Sequence, residues 1–277
     1  MRRLLTRNDT GRLTAFLMRE EKANTFLLGN LLYFGVEDDR RYFRCGDYWG
    51  YFNGQELVGV VAFFNNSQCM VYFTDDTVAQ AMADQILDSP VRLVLGGDRC
   101  VRKLAPFIRN RPGHIVVRNQ IFMEQGDFLP SRVLYEGYEF DDARRLLNNR
   151  GVQDFIVRCM RDGFGFNITR STAKRLLKEK TVYEPYLLMK ADGRYVAQAH
   201  IQARTPLYCQ IGGVCTLPED RRHGYARAVV TRLMGMIPGD GGRRACLIVN
   251  DDNDSARSLY ASLGFRESGR LILIDYL

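Results

Sequence analysis

Apolar and polar positions along the chain follow helical and strand periods, with short turn signals between them. In the first half, apolar residues recur at helical spacing over positions 13–17, and the apolar stretch 26–32 predicts a buried helix. Asn53-Gly54 between two apolar runs is a strong signal for a hairpin. The other elements predicted in this half are strands at 48–52, 57–64, 70–73 and 91–95 and helices at 78–87 and 100–109.

The second half repeats this order of elements, with Asp192-Gly193 as the hairpin turn. Helices are predicted at 141–148, 152–161 and 254–263. Two more helices are predicted, one capped by Ser171 and one that begins near Gly224. Strands are predicted at 186–190, 195–204, 208–216, 245–249 and 271–276. We interpret the halves as a diverged internal repeat of two domains, 1–130 and 131–277, joined near Pro130-Ser131. The alternative is that any two α/β units share such an order.

Composition and hydropathy place the chain among ordinary globular proteins. Of its 277 residues, 46% are hydrophobic and 26% charged, which argues against disorder and against a disulfide-rich miniprotein. No apolar run reaches the ~18–20 residues of a membrane helix, and no apolar signal-peptide core follows Met1. We therefore expect a soluble, cytoplasmic protein without a membrane partner.

The cysteines and histidines do not have the spacing of a metal site. Seven cysteines lack any C-x-x-C pair and only three histidines are present, so we expect no metal and interpret the cysteines as packing residues. Lysine and arginine outnumber aspartate and glutamate by 39 to 32, which permits an anionic partner. Since no block of five like charges occurs, the sequence speaks against a nucleic-acid partner.

The most informative stretch lies at 212–227, between a predicted strand and a predicted helix. Pro218 ends ladder pairing after the strand, and the helix begins near Gly224. Free N–H groups at a helix N-terminus attract an anion, and a glycine there lets a ligand approach the backbone. Arg221, Arg222 and Arg227 add positive potential, so this loop is a candidate phosphate site.

This loop carries the pattern R-x-x-G-x-A over 221–226, which is neither a Walker loop nor a dinucleotide-binding glycine motif. In its strand–loop–helix context it resembles the pyrophosphate loop of the GNAT acyltransferase superfamily. A second segment, 253–265, follows a short apolar strand and resembles that family's N-x-x-A-x-x-L-Y-x-x-x-G-F motif. Two motifs in the expected order identify the second half as similar to this superfamily.

The first half has no such loop. Thr74-Asp75-Asp76-Thr77 stands after its strand, and these carboxylates would repel a pyrophosphate. The resemblance therefore implies an α/β (α+β) chain of two GNAT-like domains, each a mixed, mostly antiparallel β-sheet flanked by helices. Only the second domain is expected to bind acetyl-CoA, whereas the first is degenerate and serves as a scaffold, a lid or a homodimer surface.

The resemblance implies transfer of an acetyl group from acetyl-CoA to a primary amine by direct attack in a ternary complex. Tyr260 matches the family's general acid, which protonates the leaving thiolate. The strand backbone near Val214 would supply the donor for the oxyanion. The residues implied to hold acetyl-CoA are Val214, Cys215, Thr216, Arg221, Arg222, His223, Gly224, Tyr225, Ala226, Arg227 and Asn253.

Several of these residues also have a simpler reading. Tyr260 could be a packing aromatic, Asn253 a helix cap, and His223 an exposed loop residue. His200 lies on a polar stripe of the strand 195–204, which is typical of an acceptor cleft and equally of a solvent-facing strand. We consider His200 a candidate substrate contact; Glu184, Glu219 and a water chain are the other candidates for a general base.

Two other functions are compatible with the sequence. One is a tRNA-dependent aminoacyl transferase of the tandem-GNAT type, although an intact pyrophosphate loop argues against a donor that has no CoA. The other is a regulatory module that binds acyl-CoA without catalysis, although retention of Asn253 and Tyr260 argues against it. The identity of the acceptor is open because the fold hosts many acceptors.

Overall fold

The computed structural model describes residues 1–108, 115–126, 137–183, 185–237 and 243–276. The chain forms two compact units, and each is described by itself. Unit 1 consists of Met1–Met123, Val249–Asp254 and Glu267–Leu277, and unit 2 of Glu124–Ile248 and Ser255–Arg266.

Unit 1 is built around a mixed sheet with the strand order β1-β2-β3-β4-β5-β12-β6. From β1 to β12 the neighbouring pairs are antiparallel except β4 and β5, which are parallel. The predicted hairpin at Asn53-Gly54 is confirmed, with Asn53 opposite Glu56 and Gly54 at a φ of +58°. Its elements are β1 (Arg2–Leu4), α1 (Thr10–Met18), α2 (Glu21–Phe34), β2 (Gly46–Asn53), β3 (Glu56–Phe64), β4 (Gln68–Phe73), α3 (Ala79–Leu87), β5 (Leu93–Gly97), α4 (Asp98–Ile108), most of β6 (Ile115–Gln125) and of β12 (Phe265–Tyr276).

Unit 2 has the strand order β11-β10-β9-β8-β7, again with one parallel pair, β10 and β11. Asp192 and Gly193 form its hairpin turn at positive φ. Its elements are β7 (Glu139–Asp142), α5 (Arg150–Arg158), a π-helical turn (Cys159–Gly163), α6 (Arg170–Lys180), β8 (Tyr186–Ala191), β9 (Arg194–Arg204), β10 (Tyr208–Thr216), α7 (Tyr225–Met234), most of β11 (Arg244–Asn250) and α8 (Asp254–Ser262).

The two units share one order of elements. Three antiparallel strands lead through a helix to a parallel strand and a second helix, as β2-β3-β4-α3-β5-α4 in the first half and β8-β9-β10-α7-β11-α8 in the second. The predicted fold class, α/β with mixed and mostly antiparallel sheets, is confirmed. Each half thus folds as the repeat interpretation expects.

Three local predictions are wrong. Residues 141–148 do not form one helix, because Asp142 ends β7 and its side chain then caps a short 3-10 helix, Ala143–Leu146. The cap of α6 is Thr169 rather than Ser171, since the Thr169 side chain accepts from the Thr172 N–H. The last strand, predicted at 271–276 as part of the second domain, instead pairs through Leu271–Asp275 with Leu93–Gly97 in unit 1.

The division between domains at 1–130 and 131–277 stays a prediction. Residues 127–136 around the predicted join lie outside the described ranges. The compact units agree with it over most of the chain and differ in two C-terminal segments, 249–254 and 267–277, which belong to unit 1.

The core of unit 2 lies between α5, α6 and one face of the sheet. Ala173 and Leu177 of α6 are fully buried there, beside Tyr186 of β8 and Cys215 of β10. This core fixes one face of β10, which positions the residues of the candidate site.

Among the described residues, no helix is long and apolar enough to cross a lipid bilayer.

Candidate functional site

The strand predicted to bind the acyl donor, β10, contains a β-bulge. Gly212 pairs with His200 and Cys215 with Gln198, so Gly213 and Val214 have no partner residue on β9. Gly213 adopts a φ of +61°, which glycine accepts without the strain that a Cβ would cause. A glycine inside a strand pattern is the sequence signal for such a bulge. The bulge interrupts the hydrogen-bond ladder between β9 and β10 next to the predicted site.

On its other side β10 separates from β11. The parallel pairing runs from Tyr208 opposite Arg244 to Ile211 opposite Leu247, and no pair follows in the described register. Backbone groups of 214–216 on this side therefore have no strand partner there. An extended amide-bearing ligand could pair with them like an added strand.

A buried hydrogen-bond chain holds the bulge in place. Tyr186 Oη donates to Gln198 Oε1 at 2.7 Å, and Gln198 Nε2 donates to the Gly213 carbonyl at 3.0 Å. Tyr186 and Gln198 are only 1% and 2% exposed. Because the Gly213 carbonyl is occupied by Gln198, the peptide that joins Gly213 to Val214 has a fixed orientation. No local pattern in the sequence signals this pairing.

His200 lies directly beneath the bulge. It is 1% exposed, and its ring centroid lies 4.8 Å from that of Tyr186. A Cβ built at Gly213 would clash with His200 Nε2. The solvent-facing reading of this part of the stripe is therefore wrong, since Gln198 and His200 are both buried. A role of His200 as a substrate contact stays a prediction.

The predicted phosphate loop connects β10 to α7. A short 3-10 helix, Pro218–Asp220, is followed by four exposed residues, of which Arg222 and Gly224 have positive φ. Gly224 is the N-cap of α7, and its carbonyl accepts the first helical bond, from Ala228 N–H. The N–H groups of Tyr225, Ala226 and Arg227 form the first turn, and a Cβ at Gly224 would point into open space. The loop is thus an open cradle for an anion.

An ion pair between buried Asp220 and exposed Arg194 anchors the base of this loop. Asp220, 3% exposed, accepts from both guanidinium nitrogens of Arg194, at 2.5 and 2.7 Å. Arg221 donates to the Thr216 and Asp162 carbonyls, each at 3.4 Å. Because Asp220 is neutralised within the protein, it does not oppose an anion at the helix N-terminus.

The remaining groups of this region differ in their partners. Arg222 and Arg227 form no ion pair with the described part of the chain. His223 Nδ1 lies 3.2 Å from the Asp220 carbonyl oxygen, and its ring stacks on Tyr225 at 5.5 Å. Thr216 Oγ1, at the end of β10, is buried and has no hydrogen-bond partner among the described residues. These features fit a phosphate-bearing ligand.

Tyr260 lies on α8, the helix of the second motif. It is 7% exposed and makes an edge contact with Phe265, with the ring centroids 6.0 Å apart. Burial raises the pKa of its phenol to about 12, so the phenol is protonated at neutral pH and able to donate a proton. Asn253 lies immediately before α8, and its backbone N–H donates to the Asn250 carbonyl at 3.1 Å.

In the corresponding loop of unit 1 the carboxylates are paired with groups of the same unit. Asp75 caps the 3-10 helix Asp76–Val78 by accepting from the Thr77 N–H at 3.0 Å. Asp76 forms ion pairs with Arg99 at 2.6 Å and Lys103 at 2.8 Å. The pairing of β3 with β4 has no register shift, so this unit lacks the bulge as well.

The cysteines of unit 2 fit the packing role expected of them. Cys209 and Cys215 are buried, and burial raises the pKa of the Cys209 thiol. Groups of His, Cys, Asp or Glu that could hold a metal ion do not occur in the described ranges. Glu184, one of the candidate bases, lies outside those ranges, and Glu219 is engaged with Arg158 at 2.6 Å.

Comparison with known proteins gives a family match for the part of the chain that carries the site. Residues 193–271 match the model of the FR47-like protein family. This segment includes β9, β10, the loop, α7 and α8. No curated protein sequence matches the chain.

Solved structures resemble the whole chain. A protein from Drosophila has a TM-score of 0.72 at 12% identity and covers 100% of this chain and 98% of its own. A GCN5-related N-acetyltransferase from Sphaerobacter thermophilus has a TM-score of 0.65 at 16% identity, covering 99% and 94%. A tandem GNAT protein from the clavulanic acid biosynthesis pathway has a TM-score of 0.60 at 12% identity, covering 100% and 98%. The chain therefore has the GNAT fold, as the two motifs predicted.

Two glycines allow a test of the packing beneath the bulge. Gly193 and Gly213 both have positive φ, but a Cβ at Gly193 meets nothing within 4 Å, whereas a Cβ at Gly213 meets His200. Gly193→Ala should lower the free energy of unfolding by about 1–2 kcal/mol from backbone strain alone. Gly213→Ala should cost about 1–3 kcal/mol more, because the clash adds overpacking. Urea unfolding of both variants checks this difference, and equal losses would show that His200 does not pack against the bulge.

Proposed function

We propose that this protein is an acyl-CoA-dependent N-acetyltransferase whose working site lies in unit 2. The observation that carries the proposal is the combination of a bulged, half-unpaired strand with an open anion cradle at the N-terminus of α7. The GNAT fold of the neighbouring structures supports acyl transfer as the reaction class. The donor expected here is acetyl-CoA, with an amine as acceptor.

The residues divide the work of binding between strand and loop. Backbone groups of Val214, Cys215 and Thr216 would pair with the amides of the pantetheine arm. First-turn N–H groups of α7 and the free guanidinium groups of Arg222 and Arg227 would hold the pyrophosphate. Arg221 and His223 would support the loop from within, through the carbonyls that they contact.

Acyl transfer requires a hydrogen-bond donor to the oxyanion and a proton for the leaving group. Transfer forms a C–N bond and breaks the thioester C–S bond; the amine loses one proton and the thiolate gains one. The peptide N–H of Val214, oriented by the Gln198 bond to the preceding carbonyl, would stabilise negative charge on the thioester oxygen. Tyr260 would protonate the thiolate. His200 would contribute a contact to the acceptor.

Gly224 provides a charge test of the phosphate cradle. Asp and Asn have nearly the same shape, and both tolerate positive φ better than other side chains. Gly224→Asp places a negative charge at the cradle and should abolish acetyl-CoA binding, whereas Gly224→Asn should retain measurable binding. Isothermal titration calorimetry with acetyl-CoA compares the two, and equal affinities would remove the loop from the proposed site.

The acidic, internally paired loop of unit 1 predicts one acetyl-CoA per chain. Neutralised Asp76 and the capping Asp75 occupy the place of the cradle in that unit. Calorimetry on the full chain should give a stoichiometry of one, and Gly224→Asp should bring it to zero. A stoichiometry of two, or of one that survives Gly224→Asp, would assign a site to unit 1.

Tyr260→Phe separates proton donation from packing. The variant keeps the ring against Phe265, so the affinity for acetyl-CoA should change by no more than a few-fold. The turnover number should fall by about 10²–10⁴, the usual contribution of general acid catalysis. In the wild type, turnover should not fall from pH 8 to 10 through loss of this proton, since the raised pKa of about 12 keeps the phenol protonated. Wild-type turnover by the Phe variant, with chemistry rate-limiting, would reduce Tyr260 to a packing residue.

A further inference from the structure

The positive charge of the chain is concentrated in one segment of unit 2. Residues 143–180, defined here as the basic segment, contain ten Lys or Arg and three Asp or Glu. This excess of seven equals the excess of the whole chain, 39 against 32, so the remaining residues are balanced. Such a concentration creates a positive field local to this segment rather than a diffuse net charge.

The fold turns this charge outward. The basic segment comprises the 3-10 helix Ala143–Leu146, α5, the π-helical turn and α6, and its apolar side chains form the buried core of unit 2. At least four of its cations are used in ion pairs. Arg158 contacts Glu219 and Arg161 contacts Asp162. Arg170 contacts Asp154, and Arg144 contacts Asp142 at 3.8 Å.

Four other cations of the basic segment are not engaged in ion pairs of the described chain. Arg145, Arg150, Lys174 and Lys178 are exposed and form no ion pair within the described ranges of the chain. Lys174 and Lys178 are one helical turn apart on α6, so they lie on the same exposed face. They are available for a negatively charged partner.

The basic segment also adjoins the proposed acyl-donor strand. A Cβ built at Gly163, in the π-helical turn, would lie 2.8 Å from Cys215 Sγ of β10. The carbonyl of Asp162, in the same turn, accepts from Arg221 of the phosphate loop. Directly after this turn, Phe164 and Phe166 are 40% and 52% exposed. Two exposed phenylalanines of the basic segment thus follow directly on the turn that contacts the strand and the loop.

We propose that the acceptor amine belongs to an acidic polypeptide that docks on the basic segment, with an apolar side chain against Phe164 and Phe166. This inference rests on the proposed function. Charge complementarity to the four free cations selects a polyanion. The reaction selects a polypeptide, because its terminal or lysine amine is nucleophilic when neutral. The exocyclic amino groups of nucleic acids are poor nucleophiles, since their lone pairs are delocalised into the bases. The mixture of cations with two exposed phenylalanines fits acidic residues interspersed with apolar ones.

The test uses three labelled peptides of about twelve residues, each with a free N-terminal amine and two central leucines. Their other positions are mainly Glu in the first, Gln in the second and Arg in the third, and a single-stranded oligouridylate of similar length serves as a nucleic-acid probe. Fluorescence anisotropy with the full chain measures binding, and release of free CoA thiol from acetyl-CoA measures transfer. We expect the Glu peptide to bind at least about tenfold more tightly than the others, and to lose affinity between about 0.05 and 0.3 M salt.

Charge reversal on α6 locates the surface. Lys174→Glu/Lys178→Glu should weaken binding of the Glu peptide by about tenfold and leave the Gln peptide unchanged. The matched control, Arg12→Glu/Arg270→Glu, makes the same charge change at exposed residues of unit 1 and should have a much smaller effect. If the reversed variant does not fold, Lys174→Gln/Lys178→Gln gives the same comparison with neutral side chains.

Each contrary result has a distinct meaning. Equal effects of the α6 variant and its control, or tighter binding of the oligouridylate than of the Glu peptide, would overturn the inference. Acetylation of the Gln peptide as fast as of the Glu peptide would also overturn it, while leaving the proposed function intact. Failure of acetyl-CoA itself to bind would instead reject the proposed function, and the anisotropy measurements would still report on docking.

Discussion

A carbonyl group withdrawn from a β-ladder needs another donor, and the Gly213 carbonyl finds one in the side chain of Gln198. Without this bond the bulge in β10 would leave a buried polar group unsatisfied, at a cost of about 1–3 kcal/mol. Gln198 is in turn fixed by the Tyr186 hydroxyl, and Tyr186 belongs to the core formed with α5 and α6. The orientation of the backbone at the candidate site therefore depends on the packing of unit 2.

In the phosphate loop, too, a polar group is satisfied by a partner within the unit, here through an ion pair instead of an amide hydrogen bond. A carboxylate near a helix N-terminus would compete with any anionic ligand, and Asp220 avoids this because Arg194 holds it. The cations that remain exposed then face solvent without internal partners. In unit 1 the arrangement is the opposite. Asp76 of the loop forms ion pairs with Arg99 and Lys103, so these cations are not available to an anionic ligand. The corresponding loops of the two units thus differ in charge, although the order of elements around them is the same.

The sequence predicted most elements because their signals are local. Asn53-Gly54 and Asp192-Gly193 specify hairpins through the positive φ of their glycines, and the apolar face of α7 follows from helical spacing alone. The wrong predictions arise where distant parts of the chain compete. Residues 141–148 have a helical composition, yet Asp141 and Asp142 pair with β8, and a strand–strand partner is not visible in a local pattern.

For the candidate site, the sequence by itself predicted the loop as a phosphate site, because R-x-x-G-x-A before an apolar helical face is recognised within a dozen residues. It also pointed to Tyr260 and Asn253 through a second local motif. Only the tertiary structure decided that His200 is buried, that Gln198 holds the bulge, and that the C-terminal strand pairs with β5. These are contacts between strands separated by a turn or by most of the chain, and their partners are chosen by packing and by the satisfaction of buried polar groups, which no local pattern encodes.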